Sequence, residues 1–276
     1  MKTHYIHLDD PALGQCELHD ATTSDFIEPL FECAEGSASL VASRNVVSIN
    51  DDLHELPKFL LLGERGGGVP IRLGIYAGLD AGAFDTVIAA SRLLLELELS
   101  PSLARDYAVF AAPVVNLLGF GPDRVPLANF YRRYAQALDG ESADEDVRYF
   151  QNDFAKWRHD GLIYVRSTGL NTGFAATTRS RILADEVIAP VLRSLSGIVP
   201  IAREPVRVLP SASEARWADR RAGRLLPVPG SHPWPFEIEL FVPAGIPCED
   251  RIRALFLSVV SILRGYRQFI AHGGEL

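Results

Sequence analysis

The chain predicts an α/β domain built on a mixed, largely parallel sheet. Three observations predict it: short apolar runs alternating with helical stretches, a long amphipathic C-terminal segment, and a composition suited to one large core. The 276 residues are 47% hydrophobic and 22% charged, enough to bury a single sizeable core.

The first 56 residues are mixed and acidic and are expected to form an N-terminal extension, within which the β-branched run from Ser39 to Ile49 predicts a strand. From Phe59 the pattern sharpens. The run Phe59–Leu62, the glycines Gly66, Gly67 and Gly68, and the run from Ile71 to Tyr76 predict two neighbouring buried strands around a turn. Ala83 to Leu99 carries alanine and leucine at helical spacing, and Pro101 stands just beyond its end. Tyr107 to Val115 predicts another buried strand, and Asp139 to Asp146 an exposed polar loop or helix start. Leu162 to Val165 predicts a short strand, Ile182 to Leu195 an amphipathic helix, and Phe236 to Val242 an alternating strand. Residues 200–235, rich in proline and arginine, predict an irregular insertion, and Arg251 to Ile270 a closing helix with one apolar face.

Net charge is −8 and the isoelectric point about 5.4, which disfavours a nucleic-acid-binding surface. The arginines at 216, 220, 221 and 224 read as a solvated loop. Cys16, Cys33 and Cys248 are odd in number and widely spaced, which fits thiols in a reducing, cytoplasmic compartment. No window approaches the roughly 18 uninterrupted apolar residues of a membrane span, and the first residues lack a signal-peptide apolar stretch. A single soluble domain with no membrane partner is therefore expected.

Generic catalytic motifs are absent. The glycine cluster joins two strands and opens no helix, so it does not read as a phosphate cradle. The histidines at 4, 7, 19, 54, 159, 232 and 272 form no metal-binding pair. Glu237 and Glu239 share one strand face, a pattern that serves paired-carboxylate chemistry but more simply faces solvent.

Four ordered segments resemble the zinc carboxypeptidases, most closely their succinylglutamate desuccinylase/aspartoacylase branch. Ile75-Tyr76-Ala77-Gly78-Leu79-Asp80-Ala81-Gly82-Ala83 resembles the family's A-G-I-H-G-D-E stretch. Pro113 to Phe120, with Arg124 behind it, resembles P-x-x-N-P-x-G-F, and Asn129 stands at the Asn of the element that holds a substrate carboxylate. Trp157-Arg158-His159-Asp160-Gly161-Leu162-Ile163-Tyr164-Val165-Arg166-Ser167 resembles W-x-H-D-G-x-I-x-L-H-S, and Phe236 to Pro243 resembles F-x-L-E-T-P. The resemblance covers residues 57–270 and implies a three-layer α/β/α fold.

At the positions that do the family's chemistry the residues are wrong. Asp80 replaces the first His ligand, Ala83 the Glu ligand, Arg166 the second His ligand, and Phe241 the general-base Glu. An arginine is a fixed cation that cannot accept a metal, and a phenylalanine cannot shuttle a proton. Asp80 and Arg166, if both face the old metal position, are expected to form an ion pair there. The reading is a non-catalytic member with no cofactor, retaining a cleft in which Arg124, Asn129 and Arg166 hold a small carboxylate-bearing ligand. The competing reading is a metal-dependent amide hydrolase whose zinc site is rebuilt from His159, His232, Asp160, Glu237 and Glu239. No protein partner or oligomeric state is implied.

Overall fold

The computed structural model describes residues 22–49, 51–120, 152, 156–168, 173–209 and 236–273, with Thr168, His272 and Gly273 described by backbone alone. Arg124, Asn129, the polar stretch 139–146, the arginines at 216–224 and His232 lie outside these residues.

Helix α1 (Thr23–Gly36) starts at Thr22, whose backbone N–H donates to Asp25 at 2.7 Å in a capping box. Strands β1 (Leu40–Ile49) and β2 (Asp52–Leu62) form a hairpin whose two-residue turn includes Asp51 at φ 68°, a left-handed conformation that aspartate tolerates. Then follow β3 (Ile71–Tyr76), α2 (Phe84–Leu99), β4 (Tyr107–Ala112), β5 (Gly161–Thr168) and β6 (Phe174–Thr178). The next helix, α3, covers 181–194, with one π turn at Ala184–Ile188 between α-helical ends. Strands β7 (Ile201–Val208) and β8 (Phe236–Pro243) and helix α4 (Cys248–Gly273) complete the chain.

The strands form one eight-stranded sheet in the order β1-β2-β4-β3-β5-β8-β6-β7. The pairs β3–β4, β3–β5, β5–β8 and β6–β7 are parallel and the others antiparallel. The α/β class with a mixed, largely parallel sheet and flanking helices is as predicted. β1 and β2 belong to this sheet, although most of their length lies within the expected extension.

Two sequence expectations need correction. β2 and β3 are not neighbours, because β4 lies between them. The glycine-rich link crosses the start of β4 instead of turning tightly: Gly63 N–H donates to the Tyr107 carbonyl at 3.0 Å, Ile71 N–H to the Asp106 carbonyl at 2.8 Å, and Gly66 N–H to the Asp106 carboxylate at 2.5 Å. Residues 201–208, placed in the irregular insertion, form β7. Its proline falls on an edge strand among the described residues, where a missing N–H is tolerated.

One set of alternating strand residues packs with helices α1–α4 into the core. It includes Leu73 and Ile75 of β3, Val109 of β4, Ile163 and Val165 of β5, and Ile238 and Leu240 of β8, against Leu30, Leu94, Leu192 and Leu255 of the helices. Each such side chain contributes roughly 1.5–3 kcal/mol by leaving water. α4 is long and apolar enough to cross a bilayer, but Ile252, Leu255, Val259, Ile262 and Leu263 are buried in this core.

The opposite sheet face carries a different set. Phe110 packs on Trp157 (5.5 Å between centroids) and His159 (5.7 Å), and Tyr76 packs on Tyr164 (5.6 Å). The buried Lys58 ammonium lies 5.9 Å from the Phe110 ring centre. Burial, with Lys156 nearby, pushes the Lys58 amine down from 10.5 to about 7. Burial, then the Arg72 charge, pushes His159 down from 6.5 to about 4, against the opposing effect of Asp160. Both groups bind protons more weakly folded than unfolded. Stability is therefore lost as pH falls from about 10.5 to 7 through Lys58, and again from 6.5 to 4 through His159. Urea melts from pH 7 to 10 should rise steadily for the parent and stay flat for Lys58→Met. A sloping profile in that variant excludes Lys58 as the source.

Candidate functional site

The parallel strands β3, β5 and β8 end together, and the segment after β3 is held there by backbone bonds. Val115 N–H donates to the Ala77 carbonyl (3.1 Å), Asn116 N–H to Gly78 (3.0 Å) and Gly82 N–H to Gly119 (3.0 Å). The buried Asn116 amide also donates to the Leu79 carbonyl at 3.2 Å. Gly78 stands at φ +59°, and a Cβ there would lie 2.6 Å from the Pro113 carbonyl oxygen. Only glycine fits that approach. The shared motif residues Gly78, Asn116 and Gly119 therefore build the cradle that presents Asp80.

Arg166, near the end of β5, reaches Asp80 through two parallel bonds. Nε donates to Oδ2 at 3.1 Å and Nη2 to Oδ1 at 2.7 Å. Its remaining terminal nitrogen, Nη1, donates to Glu239 Oε1 on β8 at 2.8 Å. Thr177 of β6 donates to the other Glu239 oxygen at 3.3 Å. The guanidinium also lies 5.4 Å from the Phe241 ring centre, within cation–π range. The expected Asp80–Arg166 ion pair is present, with Glu239 completing a triad. The side chains are only 17% (Arg166), 20% (Asp80) and 5% (Glu239) exposed. Both carboxylates thus depart from the solvent-facing default, Glu237 being 13% exposed and accepting from Arg179 Nε at 3.2 Å.

Behind the triad, Arg251 at the start of α4 pairs with the buried Asp85 of α2 at 3.2 Å and donates to Ser167 Oγ at 3.3 Å. Burial raises the Asp85 carboxyl above its ordinary value despite Arg251. Arg92 and Glu249 pair at 2.9 Å between the same helices. These pairs fix α2 and α4 against the strand ends.

Of the residues proposed for a rebuilt metal centre, the described ones do not converge. His159 and Asp160 stand just before β5, seven and six residues ahead of Arg166 and roughly 20 Å or more away along an extended strand. His159 Nε2 is 3.0 Å from the Tyr76 hydroxyl, and Asp160 accepts from Arg72 at 2.8 and 3.1 Å. Among the described residues no three His, Cys, Asp or Glu side chains group as metal ligands. The position where the resemblance places zinc does not fit that metal. Ala83, at the start of α2, offers no donor, Phe241 offers no base, and the Asp80 oxygens are committed to a fixed cation.

Beside Arg166 and Phe241 opens a cleft of about 790 Å³, lined also by Gly173, Ala175, Thr177, Ala202, Arg203, Glu204 and Arg207. Its far wall is a bulge in β7. Phe174 pairs with Ile201 and Ala176 with Val206, so β7 carries extra residues opposite β6. No strand periodicity in the sequence marks this wall. Its signal was Arg203-Glu204-Pro205 interrupting an otherwise alternating run.

The chain is similar over 88% of its length to a proposed metallopeptidase from Shewanella amazonensis, with 15% identity, 91% of that chain covered and a TM-score of 0.56. It is similar over 89% to a metallo-carboxypeptidase from Burkholderia cenocepacia, with 12% identity, 68% of that chain covered and a TM-score of 0.63. It is similar over 87% to a Pseudomonas aeruginosa metallo-carboxypeptidase in complex with (2-guanidinoethylmercapto)succinic acid, with 12% identity, 68% of that chain covered and a TM-score of 0.55. No protein-family model and no curated protein matches the sequence. At these identities the likeness shows the fold, which is that of the zinc carboxypeptidases.

Proposed function

We propose that this chain is a non-catalytic zinc-carboxypeptidase-like protein, a binding module that holds a small carboxylate-bearing ligand in the cleft beside Arg166. One observation carries the reading: the Arg166 guanidinium lies 2.7–3.1 Å from Asp80 and Glu239 oxygens, at the position where the family resemblance places a metal ligand. The chain's own cation takes the role of neutralising Asp80. With Ala83 and Phe241 at the other two positions, and the Asp80 and Glu239 carboxylates paired to Arg166, the described residues leave no uncommitted group to ligate zinc or move a proton there.

Loss of the chemistry leaves a formed cleft. Its volume of about 790 Å³ falls in the range of small-molecule sites. Arg166 is committed to two carboxylates, so in this reading it shapes the wall and leaves the ligand's acid group to other cations, Arg203 and Arg207 among them. Arg124 and Asn129 are further candidates, from the family resemblance alone. The succinic acid derivative held by the Pseudomonas aeruginosa protein supports the ligand class. Cysteine usage supports a cytoplasmic setting.

The test is metal content and turnover. Protein purified without chelator should hold far less than one zinc per chain and should leave N-acyl amino acids and C-terminal peptide bonds intact. One zinc per chain with hydrolysis abolished by chelation overturns the proposal.

A further inference from the structure

Among the described residues the sheet ends in β1 on one side and β7 on the other, and the two edges are built in opposite ways. β7 is guarded. A bulge, Pro205 and the exposed charges Arg203, Glu204 and Arg207 interrupt it, devices that stop a strand edge from pairing with another chain. β1 runs ten residues with no bulge and no proline. Its one charged residue, Arg44, is turned away onto α1 and β2. The guanidinium carbon lies 3.8 Å from the Phe31 ring centre, with bonds to Glu28 at 2.8 Å and Glu55 at 3.1 Å.

The hairpin fixes which backbone groups face out. Odd-numbered residues of this segment bond β2: just before β1, the Ser39 carbonyl accepts from Leu62 N–H at 2.9 Å. The even-numbered ones therefore present N–H and C=O to the open side. Leu40 N–H, the first of them, is taken by Ser37 Oγ at 2.7 Å. For Ala42, Arg44 and Val46 the described residues supply no backbone partner on that side. Beside this row Val41 and Val46 are 57% and 58% exposed, and Leu53 on β2 is 77% exposed. β2 meets β4 only over Phe59–Leu62. Among the described residues 44–57 therefore form a two-stranded ribbon, which is marginal by itself.

We propose that β1 is a self-association edge: a second copy of this chain adds its own β1 antiparallel, and the two sheets join into one. The pairing is self-complementary. A two-fold axis normal to the sheet sets residues of like parity opposite each other, so the even row of one copy meets the even row of the other and each N–H finds a C=O. A register centred on Arg44 would set like charges opposite, and one centred on Asn45 would make the two arginines diagonal neighbours, both unfavourable. Centring on Val46 sets valine on valine and puts Arg44 opposite the second copy's Ser48. Residues 43–49 then pair, both Val46 side chains leave water, and the ribbon becomes four strands. This inference does not depend on the ligand proposed for the cleft, which is lined from the other side of the sheet.

The experiment is sedimentation velocity of the full chain from low micromolar to hundreds of micromolar, with amide hydrogen exchange at both ends of that range. The weight-average mass should climb from 30.3 kDa toward twice that value. When about nine-tenths of the chain is dimeric, the amides of Ala42, Arg44 and Val46 should exchange about tenfold more slowly. Those of Asn45 and Val47, already bonded to β2, should change little. Val46→Lys sets two ammonium groups across the axis and should stay monomeric with an unchanged circular dichroism spectrum. Ile182→Lys, at an equally exposed apolar residue of α3 (58%), should dimerise like the parent. A parent that stays monomeric throughout overturns the proposal, whether its edge is bare or taken by another chain. So does a dimer that survives Val46→Lys, or one that forms without slowing the three even-numbered amides.

Discussion

Arg166→Met is expected to destabilise the fold by about 3–5 kcal/mol, because it removes the shared partner of two carboxylates. Asp80 and Glu239 would face each other across an apolar side chain, with Glu239 nearly sealed from water at 5% exposure. Methionine keeps most of the packing, so the measured loss reports charge and not a cavity. For a domain of this size the melting temperature should fall on the order of 10 °C. Adding Asp80→Asn and Glu239→Gln to the variant should recover much of the loss, since an uncharged replacement of a buried ion network is often close to neutral. Zinc should raise the melting temperature of Arg166→Met and leave the parent unmoved, because only the variant offers two carboxylates without a resident cation. A loss below 1 kcal/mol would mean that water screens the triad, and the account of Arg166 as an internal cation would fall.

Gly173→Ala is expected to cost about 2–4 kcal/mol and to abolish ligand binding. The residue sits at φ +90°, and a Cβ would meet the backbone of the β7 bulge at 2.5 and 2.7 Å. Backbone of this kind cannot yield as a flexible side-chain end would. The left-handed conformation alone costs about 1–3 kcal/mol for a residue with a side chain, and moving the bulge adds to it. Because the bulge carries Arg203 and Glu204, the same displacement spoils the cleft. Gly197→Ala is the control: a Cβ there meets nothing within 4 Å, and its unfolding midpoint should stay within about 0.5 kcal/mol of the parent. Equal midpoints for the two variants would show that the bulge shifts freely.

Local patterns carried much of this structure in the sequence. The alanine–leucine spacing of α2, the apolar run of β4 and the alternation of β8 each sit close to where periodicity placed them. So did the pairing of Asp80 with Arg166, because two motif positions that converge in one fold converge here as well. What failed was pairing order. No local signal says that β4 inserts between β2 and β3; that depends on Asp106 holding the glycine-rich link at residues 66 and 71, a contact 40 residues away from Gly66. Glu239 was read as solvent-facing because alternation gives the face and says nothing of what covers it. His159 and Asp160 have the chemistry of displaced catalytic residues, but the direction of β5 puts them at the opposite end of the strand from Arg166. In physical terms they tie β5 to β3 through Tyr76 and Arg72.

The Asp80–Arg166–Glu239 triad also bears on the order in which the chain assembles. Its two arms span 86 and 73 residues of sequence, so it closes only after β3, β5 and β8 have come into register. Loops of that length are costly to close early. Interactions formed late leave the folding rate nearly unchanged when they are removed and instead speed unfolding. Arg166 therefore acts as a latch: it sets how long the native state lasts far more than how quickly it is reached.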